Sequence, residues 1–171
     1  MENEKSGKIV KTVEIASNLA ILLAAILAVA WFAKNYRMNS TQPPPTVAVG
    51  ENVALQGVDW KANGASLVLA VSTQCHFCSE SGSFYQHLIQ ECQKHGIHSI
   101  AALPQNVEEG KIYLKKLGVP VDEVRQVPLS TLHVNGTPTL MLIDQNGKVK
   151  DVWIGKLPSA DEEDVLKKLA S

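Results

Sequence analysis

The chain's chemistry centres on Cys75 and Cys78, which enclose only His76 and Phe77. Two thiols three residues apart at the start of a helix can close a disulfide with little backbone movement. Upstream is a short apolar run, Ser66-Leu67-Val68-Leu69-Ala70-Val71-Ser72, of the kind that forms a buried strand. Downstream, residues 78–95 follow a helical period. Cys75 therefore falls over the free N–H groups of a first turn. Those donors and the helix dipole favour its thiolate, so it should titrate below the free-thiol value of about 8.5. Cys78 lies inside the turn and is the more enclosed. Chemistry assigns attack to Cys75 and resolution of the mixed disulfide to Cys78.

The neighbours of the pair carry open alternatives. An imidazolium at His76 would favour the Cys75 thiolate, or His76 is a solvated side chain at an exposed turn. Phe77 offers aromatic contact area or packs at the domain edge. Gln74 makes that flank polar. Glu80, two residues past Cys78, is placed to exchange protons with it through water. A purely structural disulfide is one competing reading of the two cysteines. A soft-metal site is another: thiolates select Cu(I), and His76 or His133 would complete such a set. Zinc would need four ligands, and there is no second C-x-x-C. Cys92 shares a helix face with Leu88 and Ile89 and reads as a small buried hydrophobe. His87, His95 and His98 form no metal-binding spacing, and Trp60 and Trp153 read as packing residues.

The elements around the pair alternate strand and helix. After 78–95 comes Gly96 as a C-cap, then an apolar strand from Ile97 to Leu103. A helix follows from Val107 to Leu117, with Ile112, Leu114 and Leu117 apolar, ended by Gly118 and Pro120. This β-α-β start predicts parallel strands joined by a right-handed crossover. Thr139–Ile143 and Lys148–Ile154 flank Asp144-Gln145-Asn146-Gly147, a hairpin signature that makes them antiparallel. Ser159 with Glu162 has the capping-box pattern ahead of a terminal helix. Val53–Trp60 is expected to add a strand or hairpin, and 118–136 is the least regular stretch.

The N-terminal part has another character. Ile15 to Ala33 is 19 residues without a charge, long enough to span a bilayer as a helix. Lys5, Lys8 and Lys11 precede it, and Lys34 and Arg37 follow, a balance that leans toward a cytoplasmic N-terminus. Ala28-Val29-Ala30 has the pattern of a signal-peptide cleavage site, but the apolar run continues through Trp31-Phe32-Ala33, which favours a retained anchor. Pro43-Pro44-Pro45 makes a semi-rigid linker. The resulting organisation is a cytoplasmic tail 1–14, an anchor 15–36, a linker 37–48 and a soluble domain 49–171. The 171 residues are 45% hydrophobic, with 16 bases against 17 acids and a net charge of −1. That balance gives no basic face for nucleic acid. Three cysteines do not make a disulfide scaffold. Phosphate-loop and nucleophile-elbow motifs are absent from the sequence.

Over residues 50–171 the chain resembles the thioredoxin-like superfamily, in particular the membrane-anchored thiol-disulfide oxidoreductases of TlpA/ResA type. The resemblance rests on Cys75-His76-Phe77-Cys78 after an apolar strand, and on Gly136-Thr137-Pro138-Thr139 before Leu140–Asp144 and Gly147-Lys148-Val149. It implies an α/β thioredoxin-like fold, a mixed central sheet flanked by helices, preceded by one transmembrane helix. It implies that Pro138 is cis and that the backbone of Thr137 pairs with an extended substrate. It further implies a single-pass protein of the inner or plasma membrane with its domain in the periplasm or on the outer face. Its substrates would be cysteine-containing exported proteins, and an envelope or membrane redox partner would recharge the dithiol. No cofactor and no nucleic acid are expected. Two departures stand out. The strand before the motif, Val68-Leu69-Ala70-Val71, carries no acid to move the proton of Cys78, and Gln74 stands where the family usually has tryptophan.

Overall fold

The computed structural model describes residues 21–31 and 46–170. The chain divides into two units, Met1–Pro43 and Pro44–Ser171. In the first, residues 21–31 form a helix, α1, apolar throughout. The remainder of the expected anchor 15–36 lies outside the described residues. Among the described residues no helix is long and apolar enough to cross a membrane.

The second unit contains α2 (Trp60–Asn63), β1 (Ser66–Ala70), α3 (His76–Glu80), α4 (Gly82–His95), β2 (His98–Leu103), α5 (Val107–Leu117) and β3 (Glu123–Gln126). A 3-10 turn (Leu129–Leu132), β4 (Thr139–Ile143), β5 (Val149–Ile154) and α6 (Ser159–Leu169) complete it. The five strands form one sheet in the order β3-β2-β1-β4-β5. β1 pairs parallel with β2, and β2 with β3. β4 runs antiparallel to β1, and β5 antiparallel to β4. The expected mixed sheet, β-α-β start and closing hairpin are all present.

Alternation along the strands makes two cores. Leu67, Leu69, Leu140 and Leu142 face Tyr85, Leu88, Ile89, Cys92, Leu114, Val165 and Leu169 of the helices. Val68, Ala70, Ile100, Met141 and Ile143 face the other way, against Val47, Val53, Leu55, Val127, Leu132 and Val134. β1 is buried along its whole length, as a strand with neighbours on both edges and cover on both faces must be. Val47, placed by the sequence in the linker, is buried and donates its N–H to the His133 carbonyl.

Several expectations need correction. The helix assigned to 78–95 begins earlier, at His76, and is broken at Ser81 into α3 and α4. The Ser81 N–H keeps the regular bond to the Phe77 carbonyl at 3.1 Å, and the Ser81 hydroxyl donates to the same carbonyl at 2.9 Å, a back-bond that competes with the ladder. Val53–Trp60 forms no strand: its neighbour Asn52 makes one isolated bridge to Lys148, and Asp59 then caps the short α2. The irregular stretch 118–136 contains a fifth strand, β3. Its partly exposed Glu-Val-Arg-Gln suits a sheet edge and hides the strand from an apolar-run reading. The Ser159 capping box does not form. Pro158 occupies the N-cap position, and Ser159 is the first helical residue. On α5, Leu114 and Gly110 are buried, whereas Ile112 is 61% exposed.

The β4–β5 turn matters because β4 begins at the site described below. Gly147 takes φ +77° there, a conformation that favours glycine. Asp144 Oδ1 accepts the N–H groups of Asn146 at 2.8 Å and Lys148 at 3.0 Å. These donors, Lys148 first and then Asn146, hold the Asp144 carboxyl below its ordinary range. A depressed carboxyl contributes stability that is full above its unfolded pKa of about 3.9 and lost as pH falls through the lower folded value. Asp144→Ala should therefore lower the urea midpoint at pH 7, and the gap to the parent should close as pH falls below the ordinary carboxylate range and through the depressed folded value. A gap that persists unchanged in acid would show that the carboxylate bonds are not its source.

Candidate functional site

Sheet register brings three chain segments together. Ala70, the last residue of β1, pairs with Ala102 of parallel β2 and with Thr139 of antiparallel β4. The chain leaving β1 thus emerges between the end of β2 and the beginning of β4. Residues 71–75 carry it to α3, and 136–138 and 103–105 lie on its two sides.

Cys75 is the N-cap of α3, in an extended conformation at φ −89° and ψ 112°. Its Sγ accepts the backbone N–H of Cys78 at 3.1 Å. Cys75 and Cys78 are joined by a disulfide with Cα atoms 5.2 Å apart. Cys75 is partly exposed and Cys78 fully buried. Access therefore distinguishes the two sulfurs in the sense expected from the sequence. On the opposite side, the Thr137 carbonyl oxygen approaches Cys75 Sγ to 3.3 Å. The Thr137–Pro138 bond is cis. Pro138 is buried, and its carbonyl accepts the Gly155 N–H at 2.7 Å, which ties the loop to the end of β5.

α3 has five residues. A helix end contributes about 0.3–1 kcal/mol to a nearby charge, and so short a helix sits at the low end. A hydrogen bond to a charged group is worth about 1.5–3 kcal/mol. The single N–H of Cys78 is thus the larger stabiliser of a Cys75 thiolate. The Thr137 carbonyl acts the other way, since it accepts from an S–H and repels a thiolate.

His76 and Phe77 are exposed beside the pair, Phe77 by 54%. Nε2 of His76 lies 3.0 Å from Glu80 Oε1, and Glu80 Oε2 lies 2.9 Å from Lys156 Nζ. The Lys156 ammonium is the main reason that the Glu80 carboxyl sits below its ordinary range, with His76 adding to the effect. Glu80 is on this exposed flank, while Cys78 is in the core. Gln74 is exposed, and its N–H donates to Ser72 Oγ at 3.3 Å.

Other residues singled out in the sequence lie elsewhere. His133 ends the 3-10 turn, with Nδ1 3.9 Å from Glu51. Among the described residues no three His, Cys, Asp or Glu side chains are placed to hold a metal ion. The three-ligand copper set with His133 or His76 is therefore not assembled. Cys92 is buried, and burial, followed by the Asp122 charge, pushes its thiol up to about 12. Its burial is as the sequence expects. Trp153 donates to Asp164 and packs against the helical core, and Trp60 lies against Gly147.

Two contributors escaped the sequence reading. Lys156 reaches Glu80 from beyond β5, and Gln105 reaches the 72–74 turn from the end of β2. Neither has a sequence signal, because each acts across strand neighbours far apart in the chain.

No protein-family model matches the chain, and no curated protein matches it in sequence. Solved structures do match. The thioredoxin domain of a thiol-disulfide oxidoreductase from Bacteroides vulgatus superposes with a TM-score of 0.54 at 16% identity, over 74% of this chain and 100% of that one. A thiol:disulfide interchange protein from Bacteroides sp. gives 0.53 at 17% identity, over 76% and 93%. Peroxidoxin BcpB from Mycobacterium tuberculosis gives 0.57 at 14% identity, over 72% and 97%. With the sheet order, the Cys75–Cys78 pair at a strand-to-helix junction and the cis proline facing it, these likenesses show that the chain has a thioredoxin-like fold.

Proposed function

We propose that this protein is a thiol-disulfide oxidoreductase that acts through Cys75 and Cys78. The observation that carries the reading is the position of Cys75 Sγ: at the accessible end of a closed disulfide, on the N–H of Cys78 and against the Thr137 carbonyl. As a reductase, the dithiol form works in two steps. The Cys75 thiolate attacks one sulfur of a substrate disulfide, forms a mixed disulfide and releases the other substrate sulfur as a thiolate. The Cys78 sulfur, once deprotonated, then attacks Cys75 Sγ, releases the second substrate thiol and closes Cys75–Cys78. Two electrons pass to the substrate, and a dithiol partner must return them. The same steps run backwards make an oxidase, and the direction follows the potential of the compartment.

Substrate would lie along Thr137, with exposed Phe77 supplying contact area beside the sulfur. We assign the protein to the outer side of a cell membrane, anchored by 15–36, with exported proteins as substrates and an envelope redox partner. Support for this comes from the apolar N-terminal run and the resemblance to membrane-anchored oxidoreductases. Peroxide reduction is the activity that the name of the peroxidoxin raises. It is less well supported, because Arg125, the one arginine among the described residues, is committed to the Gln56 and Gly57 carbonyls and to Glu123.

Two results are expected. The full chain, kept reduced by dithiothreitol, should reduce insulin disulfides, and Cys75→Ser should lower the turbidity rate to the uncatalysed background. Retention of the parent rate would exclude Cys75 as the nucleophile. Separately, Lys156→Ala should raise the Glu80 carboxyl pKa toward the ordinary range in an NMR titration. No movement would mean that the ion pair does not set the charge on this flank.

A further inference from the structure

The turn that delivers Cys75 is held by a side chain from another strand. Between β1 and α3 the N–H of Val71 continues the sheet to the Ala102 carbonyl, and the N–H of Cys75 closes a turn onto the Ser72 carbonyl at 3.1 Å. Two of the three N–H groups in between use side chains. Thr73 donates to Gln105 Oε1 at 3.3 Å, and Gln74 donates to Ser72 Oγ at 3.3 Å. Gln105 Nε2 in turn donates to the same Ser72 Oγ at 3.1 Å. One amide thus uses its acceptor on the backbone of the turn and its donor on the hydroxyl that supports the next N–H. Gln74 is exposed, but Ser72, Thr73 and Gln105 are partly shielded from water, and the two bonds of the Gln105 amide are part-buried, where such bonds compete better with solvent.

The placement follows from the sheet. Ala70 pairs with Ala102 in parallel register, so the chain leaving β2 runs beside the chain leaving β1. Pro104 and Gln105 stand between β2 and the Asn106 cap of α5, whose side chain accepts the Glu109 N–H at 2.9 Å. Gln105 therefore extends from a short segment fixed at both ends, and is a firm post for the turn.

We infer that Gln105 is a positioning residue for the reactive sulfur: its amide fixes the 72–74 turn and so the distances from Cys75 Sγ to the Cys78 N–H and the Thr137 carbonyl. This rests on the reading of Cys75 as nucleophile. The two distances, 3.1 and 3.3 Å, belong to groups of opposite effect. The N–H favours the thiolate and the carbonyl disfavours it. A turn free to shift would average the sulfur over poorer contacts with the N–H, and hydrogen bonds weaken steeply with misalignment. The reduced protein would then hold less thiolate at neutral pH.

The test compares the full reduced chain with Gln105→Met, which keeps side-chain length and loses both bonds, with Ser72→Ala, and with the double variant. Iodoacetamide alkylation is followed at Cys75 by peptide mapping across a pH series, alongside the thermal midpoint. Gln105→Met should move the Cys75 alkylation profile to higher pH, slowing the rate at pH 7 by about threefold or more, since rate follows thiolate fraction. The double variant should move the profile less than the sum of the singles, because both substitutions break one network. A Gln105→Met profile that overlays the parent overturns the inference, even if the thermal midpoint falls, because Gln105 would then support only the fold. Slower alkylation at Cys75 than at Cys78 in the parent would instead remove the nucleophile assignment itself, and with it the inference.

Discussion

The sulfur of Cys75 sits between a donor and an acceptor, and the rest of the site depends on that balance. The Cys78 N–H draws charge onto it, and the Thr137 carbonyl, from the other side, disfavours charge. A thiol can donate to the carbonyl, a thiolate can accept from the N–H, and a disulfide sulfur still fits between them. Small displacements change which partner dominates. The protein therefore needs a rigid frame around one atom more than it needs any particular charged side chain nearby.

That frame is the sheet. β1 is the central strand, buried on both faces, and its two neighbours run in opposite directions relative to it. Opposite directions put the end of one neighbour and the start of the other at the same edge, where the chain leaves β1. Thr137 arrives at the start of β4, and Gln105 at the end of β2. A sheet with β4 parallel to β1 would carry the proline loop to the far edge. The electrostatics of the exposed flank come second. Glu80 pairs with Lys156 and lies 3.0 Å from His76, and Lys156 above all holds its carboxyl below the ordinary range. A carboxylate so committed, on a solvated surface, is a poor proton acceptor for a thiol buried in the core.

Much of this was legible in the sequence where periodicity and side-chain chemistry act locally. Val107–Leu117 and Thr139–Ile143 fall where capping residues and apolar runs place them, and Cys75 lies at the helix start that gives it a donor. The cis Thr137–Pro138 bond was legible through resemblance alone. Periodicity could not show the break at Ser81, because a hydroxyl bonded back to Phe77 leaves the apolar spacing of the helix untouched. It could not show β3, because an edge strand has no need of an apolar run. Gln105 and Lys156 were invisible for a different reason. Their partners lie 32 and 76 residues away, and only strand register brings them near. His133, considered as a metal ligand, is held beside Glu51 instead.

The division of labour between the two cysteines is the central claim, and trapping tests it most directly. In a Cys78→Ser chain expressed in its native host, Cys75 can attack a client disulfide, but no second thiol resolves the product. Mixed disulfides should accumulate, be released by dithiothreitol and map by mass spectrometry to Cys75, while Cys75→Ser should trap nothing. Accumulation in Cys75→Ser through Cys78, with none in Cys78→Ser, would contradict the account.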